Sequence, residues 1–155
     1  MKKVFSIITI AALLVLYSCG KNNNASGGSW TWRGLTYQSQ FTDFVLGELV
    51  SSTGTNSPTG SLNFVFYYNP DSATLKPGNY TVTYDNPPAD STHVFVFLTD
   101  TSATNTYAPT YSATRANIQA TVTVTKGSFT ITLPPTEMAH GTDSSVLTAK
   151  VNYLP

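Results

Sequence analysis

Strict two-residue alternation of apolar and polar side chains is the feature that most limits the fold of this chain. Residues 121–125 read Thr-Val-Thr-Val-Thr, and residues 129–133 read Phe-Thr-Ile-Thr-Leu. Between them, Lys126-Gly127 offers a two-residue link whose glycine can adopt the positive φ of a tight turn. Alternation of this kind places apolar side chains on one face of a strand and hydroxyls on the other. We therefore predict a β-hairpin here, in an antiparallel sheet with one solvent-facing side.

Further segments with this period, or with a continuous apolar character, also predict strands: residues 62–68, 80–84, 93–98, 146–153, and 30–37 as either one strand or a short hairpin around Arg33-Gly34. Residues 93–98 are apolar on both faces, which predicts a central strand. Only residues 42–50 hint at a helix, and they fit a strand as well. Turn-forming residues separate the segments at intervals of about ten residues. This spacing predicts an all-β fold, expected to be an antiparallel β-sandwich, with a small β-barrel as the alternative.

The first 18 residues have the composition of a secretory signal. Lys2 and Lys3 precede an apolar run from Val4 to Leu16, which is shorter than the roughly 20 residues that a transmembrane helix needs. The run ends at Leu16-Tyr17-Ser18-Cys19, which resembles the lipobox of bacterial lipoproteins, although Tyr17 stands where that motif usually has a small or β-branched residue. The chain contains one cysteine, so an exported form could not use it for an internal disulfide. The resemblance implies cleavage before Cys19 and lipidation of that cysteine.

These features divide the chain into a signal peptide (1–18), a lipidated Cys19 with a flexible tether (19–28) and a single β-sandwich domain (29–155). Residues 20–28, GKNNNASGG, are small and polar and have nothing to bury. The lipobox, the short tether and the threonine-rich domain together resemble the small lipoproteins of Bacteroidota whose function is unknown. That resemblance implies an outer-membrane anchor. An acidic cluster behind the cysteine, which often marks surface export in that group, is missing, so we expect the anchor to face the periplasm.

The charge of the chain argues against nucleic acid as a partner. Without Lys2 and Lys3, six basic and eight acidic side chains remain, a net charge of about −2. Binding to phosphates needs clustered Lys and Arg, and the sequence has no such cluster. It also lacks a polybasic segment for anionic lipids, so membrane attachment is expected to rest on the acyl chains.

Side chains that could catalyse a reaction or hold a metal are scarce, and we predict no enzyme activity, no cofactor and no metal site. The sequence lacks a nucleophile elbow, a phosphate-binding glycine loop and a His-Glu-x-x-His pair. Glu137 and His140 come nearest to a metal pattern, but they fall in an expected loop and lack further ligands. Asp85 and Asp90 flank a proline turn, where aspartates ordinarily cap the backbone rather than form a catalytic pair. His93 begins an apolar strand and is predicted to be packed.

Aromatic residues give the strongest indication of a ligand. Trp30, Trp32, Tyr107 and Tyr111 are the candidates for an exposed platform that stacks on sugar rings, although alternating aromatics in strands usually pack in the core. Two functions stay open. A glycan-binding β-sandwich module should show an exposed aromatic patch, whereas an accessory subunit of an envelope complex should show an exposed apolar patch or sheet edge. We expect a membrane-anchored, non-catalytic binding or accessory module whose partner is an envelope protein or a glycan.

Two tripeptides predict covalent modification. Asp71-Ser72-Ala73 and Asp90-Ser91-Thr92 resemble the signal for protein O-glycosylation in Bacteroidota. Both fall in expected loops, where a glycan can be accommodated. Ser72 and Ser91 are therefore the predicted O-glycosylation sites.

Overall fold

The computed structural model describes residues 27–54, 59–67, 75–101, 108–115 and 117–155. These residues form strands, turns and bends without a helix, so none of them provides a helix able to span a membrane. The strands are β1 (Gly27–Trp32), β2 (Leu35–Ser39), β3 (Phe41–Val45), β4 (Glu48–Ser52), β5 (Gly60–Phe66), β6 (Gly78–Thr83), β7 (His93–Asp100), β8 (Thr110–Ala113), β9 (Gln119–Thr125), β10 (Ser128–His140) and β11 (Asp143–Tyr153). The all-β prediction is confirmed.

All these strands belong to one sheet that folds over on itself. The order is β2-β1-β11-β10-β9-β6-β7-β5-β4-β3, and β8 pairs with β10 and β7 beside this path. The pairings are antiparallel except for β6 with β7, which run parallel. The two ends of the path, β2 and β3, do not pair with each other in the described residues. Phe44 on β3 lies against Phe129 on β10, with ring centroids 5.1 Å apart, so the two halves of the sheet enclose the core. The arrangement is sandwich-like, as predicted.

Alternation along the strands determines which side chains enter the core. On β7, Val94, Val96 and Leu98 are buried, whereas His93 and the phenylalanines between them are half-buried. β7 lies between β5 and β6 in the sheet. The predicted central position of this strand is confirmed, but only one of its faces is fully covered.

Two-residue turns close three of the hairpins. Arg33-Gly34, Leu46-Gly47 and Lys126-Gly127 all have positive φ at both residues, between 51° and 86°. This geometry matches the right-handed twist of the paired strands, and glycine adopts it without steric cost. The hairpins predicted around Arg33-Gly34 and Lys126-Gly127 are confirmed. Residues 42–50 form most of the third hairpin, so the helical hint there is wrong.

The domain begins earlier than the sequence predicts. Gly27 and Gly28, assigned to the tether, lie in β1 and pair with Asn152 and Val151 of β11. At Gly28, φ is +138° and an added Cβ would lie 2.3 Å from the carbonyl oxygen of Lys150. Glycine is therefore required for β1 to approach β11 this closely.

A pair of prolines interrupts β10 without ending it. The sequence predicts a strand end and a loop at Pro134-Pro135, but β10 continues to His140. The register with β11 shifts between Leu133 and Thr136, which marks a β-bulge. β9 pairs with β10 only as far as Thr132, so the missing N–H groups of the prolines leave no partner in β9 unpaired.

Candidate functional site

The predicted aromatic platform is not on the surface. Trp30, Trp32 and Tyr111 are only 1%, 0% and 2% exposed, so the prediction that they form an exposed patch is wrong. Trp30 stacks on Tyr37 with centroids 5.5 Å apart, and Trp32 packs against Tyr111 at 4.8 Å. Tyr107 lies outside the described residues. Alternation correctly places the two tryptophans on one face, but that face is turned toward the core.

The most connected polar cluster surrounds Arg33 at the tip of the β1–β2 hairpin. The carbon of its guanidinium lies 5.4 Å from the ring centroid of Trp32 and 5.1 Å from that of Tyr111. Nη2 donates to Tyr111 Oη at 2.9 Å and also to Oδ2 of Asp143. Nη1 lies 3.9 Å from Oδ2 of the buried Asp100. The cluster joins the β1–β2 turn to the end of β7, to β8 and to the start of β11.

Hydrogen bonding within this cluster fixes the protonation of its members. Tyr111 donates its hydroxyl to Oδ2 of Asp143 at 2.8 Å. This bond, followed by the one from Arg33, lowers the pKa of Asp143, while burial and the bond to Asp143 raise the pKa of Tyr111. At neutral pH the carboxylate is therefore charged and the phenol keeps its proton. The groups satisfy each other, so the cluster is suited to holding strands together rather than to proton transfer.

Glu137 and His140 do not converge on a common point. Both lie on β10, three positions apart, and side chains at that separation project from opposite faces of a strand. Glu137 Oε2 lies 3.3 Å from Arg115 Nε in an ion pair, whereas His140 Nδ1 lies 3.0 Å from the carbonyl oxygen of Thr110. Within the described residues, no three His, Cys, Asp or Glu side chains are grouped so that they could hold a metal ion. The loop predicted for the pair is wrong, because the strand continues past the prolines.

The carboxylate of Asp90 accepts hydrogen bonds from Thr92 and His93, which follow it in the chain, as expected for an aspartate that caps a turn. Its Oδ1 accepts from the amide and hydroxyl of Thr92, at 2.8 and 2.6 Å, and from Nδ1 of His93 at 2.7 Å. These bonds, chiefly the one from the Thr92 hydroxyl, lower the pKa of Asp90 to about 2. Ser91 lies exposed in the same turn, which leaves its hydroxyl accessible to modification. The second predicted glycosylation site, Ser72, lies outside the described residues, as does Cys19.

A groove of about 540 Å³ opens beside β10 at the interval between the end of β8 and the start of β9. β10 pairs with β9 as far as Thr132 and with β8 at Met138 and Ala139, and in the part of the chain that the structure describes the stretch between them has no strand neighbour on that side. The lining residues are Arg115, Ile118, Pro135, Glu137, Ser144, Ser145 and Val146. The proline pair thus lies at a gap in the sheet.

The walls of this groove combine three kinds of chemistry. Arg115 and Glu137 form an ion pair, two serines provide hydroxyls, and Val146, which is 53% exposed, provides apolar surface. Such a lining can hold a mixed polar and apolar ligand. Sequence reasoning missed the groove because its residues follow no motif, and the proline pair, the one available signal, was interpreted as a strand end.

Comparison with known proteins gives no match to this chain among protein-family models, curated proteins or solved structures. The assignment of a candidate site therefore depends on the geometry of the described residues.

Proposed function

We propose that this chain is an exported lipoprotein, held at the periplasmic side of the outer membrane by lipid on Cys19, and that its β-domain is a non-catalytic binding or accessory module of the cell envelope. The observation that carries the proposal is the position of the groove relative to the first residue of the domain. Gly27 pairs with Asn152 near the end of β11, whereas Ser144, Ser145 and Val146 lie near its beginning.

This position suits a module that is anchored at one end and binds at the other. Six residue steps separate Val146 from Asn152, which corresponds to roughly 20 Å along a strand. An anchor attached before Gly27 would leave the groove at the far end of β11, away from the membrane surface. A partner could then reach the groove without displacing the anchor.

The state of the titratable groups supports a non-catalytic role. Arg33, Tyr111 and Asp143 are bonded to one another, Arg115 is paired with Glu137, and His93 with Asp90. Acid–base catalysis needs a group that is free to exchange a proton with a substrate and has a pKa suited to that exchange. Each of the groups named here is already bonded to another side chain of the same protein, so these groups are not available for that exchange.

The lining of the groove favours a polypeptide segment over a glycan as partner. Recognition of a sugar by stacking needs an exposed ring, and none of the described residues that line the groove is aromatic. An ion pair, hydroxyls and an exposed valine can instead meet the backbone and side chains of an envelope protein. The groove therefore supports the accessory function better than the glycan-binding alternative.

The anchor is tested by fractionating cells that produce the wild type or Cys19→Ala, with mass analysis of the mature N-terminus. We expect the wild type in the outer-membrane fraction with a diacylglyceryl adduct on Cys19, and the variant in the soluble periplasmic fraction. If both proteins are soluble and carry the same unmodified N-terminus, the proposed function is wrong.

A further inference from the structure

The chain enters the domain beside an exposed aromatic side chain. Gly28 is the register partner of Ser39, and a Cβ added at Gly27 would lie 3.6 Å from the carbonyl oxygen of Ser39. The hydroxyl of Ser39 donates to the carbonyl oxygen of Phe41 at 3.0 Å. The first residue of β1 and Phe41 are thus neighbours at the corner where β2 leads into β3.

Phe41 belongs to an exposed apolar surface on the β3–β4 hairpin. Phe41, Val45 and Leu46 are 65%, 56% and 70% exposed, and Val50, opposite Asp43 on β4, is 36% exposed. Alternation places Phe41, Asp43 and Val45 on the same exposed face of β3, with the carboxylate between the two apolar side chains, and Leu46 follows in the turn. We refer to Phe41, Val45, Leu46 and Val50 as the hairpin patch. Apolar surface grouped in this way marks a contact with a protein or a membrane.

The length of chain before Gly27 limits how far this patch can lie from the anchor. Eight residue steps separate Cys19 from Gly27. A fully extended chain covers at most about 3.6 Å per residue, so the first strand begins within about 29 Å of the lipidated cysteine. The hairpin patch starts at the same corner, so the bilayer is the apolar phase that the patch can always reach.

We propose that the hairpin patch rests in the interfacial region of the bilayer that holds the lipid on Cys19, so that the domain has a fixed orientation on the membrane. This inference rests on the proposed function. Aromatic and aliphatic side chains partition into that interface by burying apolar area. Residues 39–52 contain no Lys or Arg and carry the carboxylates of Asp43 and Glu48, so the contact depends on apolar surface and not on attraction to anionic lipids.

A second copy of the chain fits this hairpin less well. Addition of a strand to β3 would need the free N–H groups along its outer edge. In a hairpin with a two-residue turn, Val45 and Glu48 exchange hydrogen bonds, so the N–H of Phe44 points to that edge. This N–H donates to Oδ1 of Asp43 at 2.8 Å and is therefore occupied.

If the hairpin patch orients the domain on the membrane, it also determines the direction in which the groove faces. Gly27 and the patch lie toward one end of the domain, and the groove lies near the opposite end of β11. A domain seated on its hairpin patch would turn the groove away from the lipid and hold it there. The acyl chains alone would leave the domain free to rotate about its tether.

Tryptophan reporters test this orientation in the intact lipidated protein. Trp30 and Trp32 are buried, so a new indole on the surface can be distinguished by subtracting the wild-type emission. We would prepare Phe41→Trp, Leu46→Trp and, as a matched control, Leu35→Trp. Leu35 is 50% exposed and pairs with Trp32 at the end of β1 opposite Gly27.

Each protein is reconstituted into vesicles of phosphatidylethanolamine and phosphatidylglycerol, with or without phosphatidylcholine brominated on its acyl chains. We expect the Phe41→Trp and Leu46→Trp indoles to emit at shorter wavelength and to lose most of their emission to the brominated lipid. The Leu35→Trp indole should keep its emission. Far-UV circular dichroism checks folding, and Leu46→Trp, which lies in a turn, serves if the ring at position 41 is not tolerated.

The outcomes separate this inference from the proposed function. If the wild type does not float with the vesicles, both fail, because no anchor holds the domain. If it floats but all three indoles are equally unquenched, the anchor stands and the seating of the patch is wrong. A blue shift at Phe41→Trp that depends on protein concentration and not on brominated lipid would assign the patch to a second copy, and would also overturn the inference.

Discussion

Tyr111 on β8 donates its hydroxyl to Asp143 at the start of β11 over 2.8 Å, beneath the guanidinium of Arg33. The two residues are separated by 32 positions in the chain, and Arg33 by a further 78. A bond between such distant segments forms only when the tertiary structure is complete. It therefore reports on the closure of this end of the domain.

Removal of the Tyr111 hydroxyl should lower the stability of the fold and raise the pKa of Asp143. We expect Tyr111→Phe to lower the free energy of unfolding by about 1–2 kcal/mol, because the bonds to Asp143 and from Arg33 are both lost and each has a usual net value of about 1 kcal/mol. The pKa of Asp143 should rise toward its ordinary value, because the bond from Tyr111 is the main cause of its depression. Urea denaturation and NMR titration measure the two effects. Tyr67→Phe, at a side chain that is 46% exposed, should change neither.

The carboxylate of Asp90 should make the free energy of unfolding depend on pH in the acidic range. Its pKa is about 2 in the folded protein against an ordinary value of 3.8, so its contribution is fully present above pH 3.8 and is lost as the pH falls toward 2. We expect the free energy of unfolding of Asp90→Asn to vary less with pH in that window than that of the wild type. Asp85→Asn, which leaves the bonds to Thr92 and His93 intact, serves as control. Equal slopes for wild type and Asp90→Asn would contradict the prediction.

The close approach of β1 to β11 should make Gly28 intolerant of any side chain. In Gly28→Ala the new methyl group would lie 2.3 Å from the carbonyl oxygen of Lys150 and 2.7 Å from Cα of Val151. Backbone atoms cannot move aside cheaply, so we expect a loss of more than about 2 kcal/mol. At Gly34, φ is +75° but no atom lies within 4 Å of the added group. Gly34→Ala should therefore cost only about 1 kcal/mol, and thermal unfolding of the two variants measures the difference.

The carboxylate that occupies the edge of β3 should keep the protein monomeric. We expect Asp43→Ala to free the N–H of Phe44 and to increase self-association, because an unpaired strand edge beside exposed apolar side chains pairs readily with another strand. Asp43→Asn keeps an acceptor oxygen at the same position and should behave like the wild type. Sedimentation velocity across a range of concentrations, with Cys19→Ala as the common background, distinguishes them. Association of both variants to the same extent would point to the lost charge rather than to the edge.

Local patterns were sufficient to predict much of the fold. The Arg33-Gly34 and Lys126-Gly127 turns, and the inward positions of Leu147, Ala149 and Val151 on β11, follow from short-range alternation and turn chemistry. These features depend on residues within a few positions of one another. Sequence periodicity contains that information directly.

Other features depend on segments that are distant in the chain. Alternation shows that Trp30 and Trp32 share a face, but it cannot show which face meets the second half of the sheet. β10 can continue through Pro134-Pro135 because its pairing with β9 extends only to Thr132. The groove lies where the pairing along β10 is interrupted between β8 and β9. No local pattern encodes these relations, so the candidate site was missed.

The pairing of β1 with β11 joins the first and last strands of the domain, with Trp30 opposite Ala149. Contacts between residues so far apart in sequence form late, since the chain entropy of a long loop must be lost before they contribute. In a chain secreted from its N-terminus, β1 leaves the translocation channel long before β11 does. If the chain is exported as proposed, the sheet cannot close until β11 has followed β1 through the channel. Under that proposal, the topology would keep the polypeptide unfolded during passage and leave Cys19 open to processing until the domain has assembled.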